Sequence, residues 1–192
     1  MFLPMPNFIL ASNSSIRKKI LNNAGIQYTP VSPQKDEPRA DKNENPEDYV
    51  LKCAKFKAHE ISDQYPDDIV VGCDQIVFFE GQVLNKVDNQ KEGIDRLLSF
   101  SGKNHKLING LSIYSRKKEV FSTVTATEMV MHHLTEDIIK SYFEKENPLS
   151  SVACYFLEGY GIQLLEEIKG DFFSALGLPL LKITSFLKNF KQ

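Results

Sequence analysis

The chain of 192 residues has no tryptophan, only three cysteines, and no apolar run near the ~18 residues that cross a bilayer. Cys53, Cys73 and Cys154 are odd in number, widely spaced and free of any CxxC pair, which argues against a disulfide framework. They fit a reducing cytoplasm and three unrelated buried thiols. Excess charge is also missing. A net charge of −2 leaves no broad electrostatic footprint for nucleic acid or an anionic membrane, so neither is expected as a partner. The opening MFLPMPNFILAS holds two prolines and no basic stretch, and does not read as a signal peptide.

Several chemical signatures are absent as well. Gly102-Lys103 lacks the upstream glycine of a phosphate-binding loop, since Leu97 stands there. There is no GxSxG elbow, HExxH helix or full GxGxxG. Of the four histidines, His132 and His133 are neighbours, which on a strand point to opposite faces. A histidine metal site is therefore not expected.

What is present is ordinary globular composition, 42% hydrophobic and 25% charged, in a length suited to a single domain over 1–192. Such a chain buries about 70% of its unfolded surface. The pivotal stretch is Ile69-Val70-Val71-Gly72-Cys73-Asp74-Gln75. Three β-branched residues read as a strand buried on both faces, and Gly72 admits a close neighbour. Asp74 and Gln75 follow where open α/β sheets bind ligands, although most loop aspartates only begin a turn.

Around it, Phe8 to Ala11 reads as a strand, Ser12 to Ser15 as a polar loop, and Ile16, Ile20, Leu21 and Ala24 as a helix ending at Gly25. Hydroxyls and amides at that helix start suit phosphate. Arg17, Lys18 and Lys19 sit at the wrong end of the helix dipole, which favours either a bound anion or a plain solvated face. Gln27 to Val31 is a second strand, followed by a long acidic loop with Asp36 and Glu37. Asn45-Pro46-Glu47-Asp48 starts a helix running to about Gln64. Lys57 borders its apolar stripe, where a lysine reaches a cleft or simply lies along the surface.

Beyond Asp74 the strand continues to Phe79, turns at Glu80-Gly81 and returns toward Lys86, beside Asp74. A helix over 89–100, strands over 107–114 and 120–131, and a helix capped by Thr135 follow. After Asn147-Pro148 the glycines of Leu157-Glu158-Gly159-Tyr160-Gly161 suggest either a flat ligand or a tight bend, then a strand from Ile162 to Ile168. The terminal helix is expected to turn Leu181, Phe186 and Leu187 inward.

Asp74, Glu37, Asp36 and Glu158, with Arg17, Lys57 and Lys86, leave oxygen and cation chemistry. Carboxylates without imidazole or thiolate favour Mg²⁺ or Mn²⁺. Cations and a carboxylate-held metal are what splitting a phosphoanhydride needs.

These residues resemble a known family. FILASNSSIRKKIL, KDEPR, YVLKCAKFKA, IVVGCDQIVFFEGQVLNK, FSGKNHKLINGLSIY and EIKGDFFSALGLPL are similar, in order, to the motifs of Maf proteins. The resemblance implies a twisted mixed β-sheet flanked by helices, with two lobes around a cleft, an α/β fold like inosine triphosphatase. It implies a cytoplasmic nucleoside triphosphate pyrophosphatase, commonly a homodimer, using a divalent metal. Carried over, Asp74 would accept the proton, Ser12, Arg17, Lys57 and Lys86 would surround the phosphates, and Glu37 with Asp74 would hold the metal. Ile16, Gln75 and Glu158 would select the base.

Asp-Gln and Glu-Gly resemble the branch acting on 7-methyl-GTP; the pyrimidine branch (dTTP, UTP) carries Asp-Thr and Gln-Gly. A carboxylate can accept both N1–H and the exocyclic amine of guanine, whereas a pyrimidine edge of thymine or uracil offers one donor. Ile16 stands where the first branch has a large aromatic, and Ser15, Val87 and Asn85 replace two prolines and a glycine. Broad specificity, or a nucleotide-sensing module linked to septum formation, are the alternatives.

Overall fold

The structure, a computed structural model, describes residues 6–38 and 44–190. Seven strands are ordered β2-β1-β3-β5-β6-β7, with β4 paired to β3. They are β1 Phe8–Ala11, β2 Tyr28–Val31, β3 Ile69–Phe79, β4 Gln82–Leu84, β5 Asn104–Ser115, β6 Lys118–Met131 and β7 Leu165–Lys169. The helices are α1 Ser15–Asn23, α2 Pro46–Gln64, α3 Gln90–Phe100, α4 Glu136–Lys145, α5 Phe172–Ala175 and α6 Leu180–Asn189. β1 runs parallel to both β2 and β3, while β3–β4 and β6–β7 are antiparallel. This is the mixed, helix-flanked α/β sheet that the sequence leads one to expect. Among the described residues no helix is long and apolar enough to cross a membrane.

Among the described residues, 6–38, 44–75, 109–125 and 177–190 form one compact unit. In it α2 starts as its sequence dictates: the Asn45 side chain accepts from Glu47 N at 2.8 Å, Pro46 occupies the first position, and Glu47 and Asp48 face the positive helix end. α2 lies hard against two strands at glycines. A Cβ on Gly72 of β3 would overlap the carbonyl of Ala54 and stand 2.7 Å from Ala58 N. One on Gly110 of β5 would overlap the carbonyl of Val50. Ile9, Ala11, Ala58, Ile61 and Val70 make the core there.

Residues 76–108 and 126–176 form the second unit, with a core that includes Val77, Phe100, Leu107, Met129, Ile139 and Tyr155. His105 lies inside it, stacked on Phe100 at 4.3 Å and bonded through Nε2 to the Tyr155 hydroxyl at 2.7 Å. Burial without a charged partner drives its pKa down from 6.5 to about 3, so the ring is neutral.

Two local expectations need correction. Ile162–Leu164 belong to a 3-10 helix over Tyr160–Leu164, and the strand begins only at Leu165; the apolar run by itself does not separate the two. Leu181 is 60% exposed. α6 begins at Leu180, so its buried stripe is Leu180, Ile183 and Leu187, with Phe186 only half-buried. The short helix α5, capped by the Asp171 side chain on Ser174 N at 2.9 Å, was not foreseen.

Candidate active site

β3 delivers Asp74 at the edge of the first unit's core, and α2 delivers Lys57 to it. Lys57 Nζ donates to Asp74 Oδ1 at 2.6 Å and pairs with Glu37 Oε1 at 3.0 Å. Side-chain exposures of 11% for Lys57 and 14% for Asp74 make theirs a shielded pair, whereas Glu37 is 49% exposed. Lys57 therefore does not lie idly along the surface; its charge is placed between two carboxylates.

The Glu37 loop is tethered from the same helix. Buried Glu60 accepts from the amides of Gln34 at 2.8 Å and Lys35 at 3.2 Å. Two donated amides compensate its desolvation.

A second group forms at the start of α1. Ser14 caps the helix by accepting from Arg17 N at 3.4 Å, and Ser12 Oγ accepts from Ser14 N at 3.2 Å. Arg17 turns inward, with Nη1 on Ser12 Oγ at 3.1 Å and Nε on the carbonyl of Gly177 at 2.8 Å. Both acceptors are uncharged, so neither is a carboxylate paired with the buried guanidinium. The Ser12 and Ser14 hydroxyls are thus engaged within the loop, while Lys18 reaches out to Asn13 at 2.9 Å.

Gly177 joins the two groups. Its carbonyl also accepts from Cys73 Sγ at 3.4 Å, one residue before Asp74. A Cβ on Gly177 would stand 3.4 Å from Gln75 Oε1, so the Gln75 amide faces the same point. Burial raises the Cys73 pKa and the nearby Arg17 charge opposes this. Ser12, Arg17, Cys73, Asp74, Lys57 and Glu37 are in this way linked through hydrogen bonds, ion pairs and the Cys73–Asp74 peptide, and Gln75 is the next residue of β3.

The other expected residues have these places in their own elements. Ile16 is half-buried in the first turn of α1. Lys86 is exposed beyond the end of β4, in the segment whose Asn85 carbonyl is held by Arg96. Glu158 is exposed in the turn before the 3-10 helix.

Cys53 is the residue that sequence reasoning missed. Oxygens of Glu37 and Asp74 and the sulfur of Cys53 lie within 4.8 Å of one another, a donor set that could hold a metal ion. The three cysteines are free and buried, as expected, but Cys53 is not unrelated to the acids. Burial and then the Asp74 charge push its thiol up to about 11, and burial pushes neighbouring Tyr49 up to about 12 with help from Cys53, Asp74 and Glu37. Two carboxylates fit a hard divalent cation, with the Cys53 sulfur the softer third donor. The signal was available: Tyr49, Cys53 and Lys57 recur at i, i+4 and i+8 on one helix face.

The family model for Maf-like proteins matches residues 7–190. The chain is 36% identical over 186 residues to the 7-methyl-GTP pyrophosphatase of Bartonella quintana, covering 94% of each. It is 35% identical over 183 residues to the dTTP/UTP pyrophosphatase of Bacillus velezensis, covering 95% of each. Among solved structures it is similar to a HAM1 protein from Coxiella burnetii, with 15% identity, a TM-score of 0.46, and coverage of 68% of this chain and 75% of that one.

Proposed function

As the chain belongs to the family of Maf-like proteins, we propose that it is a nucleoside triphosphate pyrophosphatase whose substrate is 7-methyl-GTP or a related modified purine nucleotide. The observation that carries the reading is Lys57 Nζ set between Asp74 and Glu37, at 2.6 and 3.0 Å, in a chain matching that family over 7–190.

Asp74 takes a proton from the attacking water as the water oxygen bonds to the α-phosphorus. The bond from that phosphorus to the bridging oxygen breaks, pyrophosphate leaves, and a nucleoside monophosphate remains. Arg17 and Lys57 neutralise polyphosphate charge, with Lys86 from the segment after β4, and Ser12 orients Arg17. Glu37 and Asp74 would hold a divalent cation, Mg²⁺ or Mn²⁺, which supplies further charge neutralisation when bound.

Base choice falls to Ile16, Gln75 and Glu158. A carboxylate at Glu158 accepts from guanine N1–H and the exocyclic amine, and methylation at N7 adds a positive charge that it favours. Identity to a relative named for dTTP and UTP is nearly as high, so a pyrimidine substrate is the second reading.

The test is release of pyrophosphate and monophosphate from 7-methyl-GTP, GTP, dTTP and UTP, each with Mg²⁺ and Mn²⁺. Highest kcat/KM on 7-methyl-GTP supports the proposal. Preference for a pyrimidine replaces it with the second reading. Binding without release would leave a nucleotide-sensing module.

A further inference from the structure

The turn carrying Glu158 and Gly159 hangs on α4 at both flanks. Ahead of it, Phe156 N donates to the hydroxyl of Tyr142 at 3.1 Å. Behind it, Tyr160 N donates to Glu146 Oε1 at 3.0 Å. Glu146 is the residue that ends α4. A carboxylate at the negative end of a helix is unfavourable. Its Oε2 is buried and makes no hydrogen bond of good geometry among the described residues, and the Tyr142 hydroxyl shares the carboxylate's surroundings. Helix stability therefore does not explain why an acid stands there.

Gly159 supplies the second half of the argument. Its φ of −128° is negative, so backbone handedness does not demand glycine. Space does: a Cβ would overlap Glu146 Oε1 and come within 2.8 Å of the carboxyl carbon. A side chain at 159 would have to displace the Glu146 carboxylate from the position in which it accepts from Tyr160 N.

We propose that Glu146 is a positioning residue for base selection, fixing the backbone of the Glu158-Gly159 turn so that the Glu158 carboxylate is presented in one orientation. This rests on Glu158 reading the base. Tyr142 anchors the turn's entry and Glu146 its exit, and together they remove the freedom that an exposed glycine-containing turn would otherwise have.

The experiment measures kcat and KM of the full chain on the nucleotide panel for Glu146→Ala, Glu146→Gln, Gly159→Ala, Glu158→Gln and the double Gly159→Ala/Glu146→Ala. Loss of one ordering hydrogen bond should raise KM for the preferred nucleotide about 10-fold in Glu146→Ala, with kcat within about twofold of the parent. Glu146→Gln keeps a carbonyl acceptor for Tyr160 N and should restore KM. Gly159→Ala should weaken the preference alone, yet add little in the Glu146→Ala background, where the obstructing carboxylate is gone. Should Glu146→Ala not fold, Gly159→Ala and Glu146→Gln carry the same test. An unchanged ranking in Glu146→Ala, or kcat falling alike on every nucleotide, overturns the positioning role. If Glu158→Gln leaves the ranking unchanged, the reading of Glu158 falls and this inference with it; if only Glu158→Gln shifts the ranking, the inference alone falls.

Discussion

Lys57 and Asp74 meet at 2.6 Å, an ammonium from α2 on the carboxylate of β3, with both side chains largely shielded from water. Geometry of this kind keeps a positive charge beside the oxygen assigned to accept a proton. Asp74→Asn keeps the shape and removes that acceptor. Turnover should fall at least ~10²-fold, the low end of general-base contributions. Pyrophosphate release at saturating nucleotide measures it, and near-parental turnover would take Asp74 out of its role.

Removing the cation leaves two acids facing each other. Lys57→Ala should lose up to about 3 kcal/mol of stability, because breaking a shielded pair strands a charge. It should also bind Mn²⁺ more tightly than the parent in the absence of nucleotide, since the ion then takes the ammonium's place between Glu37 and Asp74. Titration of free Mn²⁺ reads the affinity. Equal or weaker binding in the variant contradicts the assignment of those two acids as metal ligands.

Gly72→Ala should be costly for a reason unconnected with chemistry. The new methyl meets the backbone of α2 at Ala54 and Ala58, which cannot move aside as a side chain can. A loss of about 1–3 kcal/mol is expected, in the range of overpacked cores. Thermal melts check it; an unchanged Tm would mean that α2 shifts freely.

His105 gives the fold an acid limit. Its folded pKa, about 3, lies below the 6.5 of an ordinary imidazole. The neutral ring's contribution is complete above pH 6.5 and is lost as pH falls from there toward 3, because the unfolded chain takes the proton first. Over that window the parent should lose up to about 1.4 kcal/mol per pH unit more than His105→Gln, which cannot titrate. Parallel stability curves for the two proteins would exclude this origin.

How much of this was legible beforehand follows from the range of each interaction. The α2 start, the Thr135 cap and the Glu80-Gly81 turn are set by residues within four positions, and the structure has them where their sequence signals stand. The meeting of Lys57 with Asp74 was foreseeable only as an orientation, because it depends on how α2 packs on Gly72. The carbonyl of Gly177, 160 residues from Arg17, carries no side-chain signature at all. Glu146 was passed over because an acid at a helix end reads as an ordinary surface charge until the amide it serves is seen. Leu181 was misplaced because Leu180, Leu181, Ile183, Phe186 and Leu187 put apolar residues on more than one side of α6, so composition does not say which stripe packs inward.

Tyr49, Cys53, Lys57 and Glu60 all project from α2, which is braced by backbone contact at Gly72 and Gly110. The backbone positions of the four groups are thereby fixed relative to one another by a single helix. Glu37 rides instead on a peptide tethered through Gln34 and Lys35, and is half in water. On the proposed reading, Glu37 is the half-exposed member of the acid pair and Asp74 the shielded one, so entry and departure of an ion or product would pass on the Glu37 side.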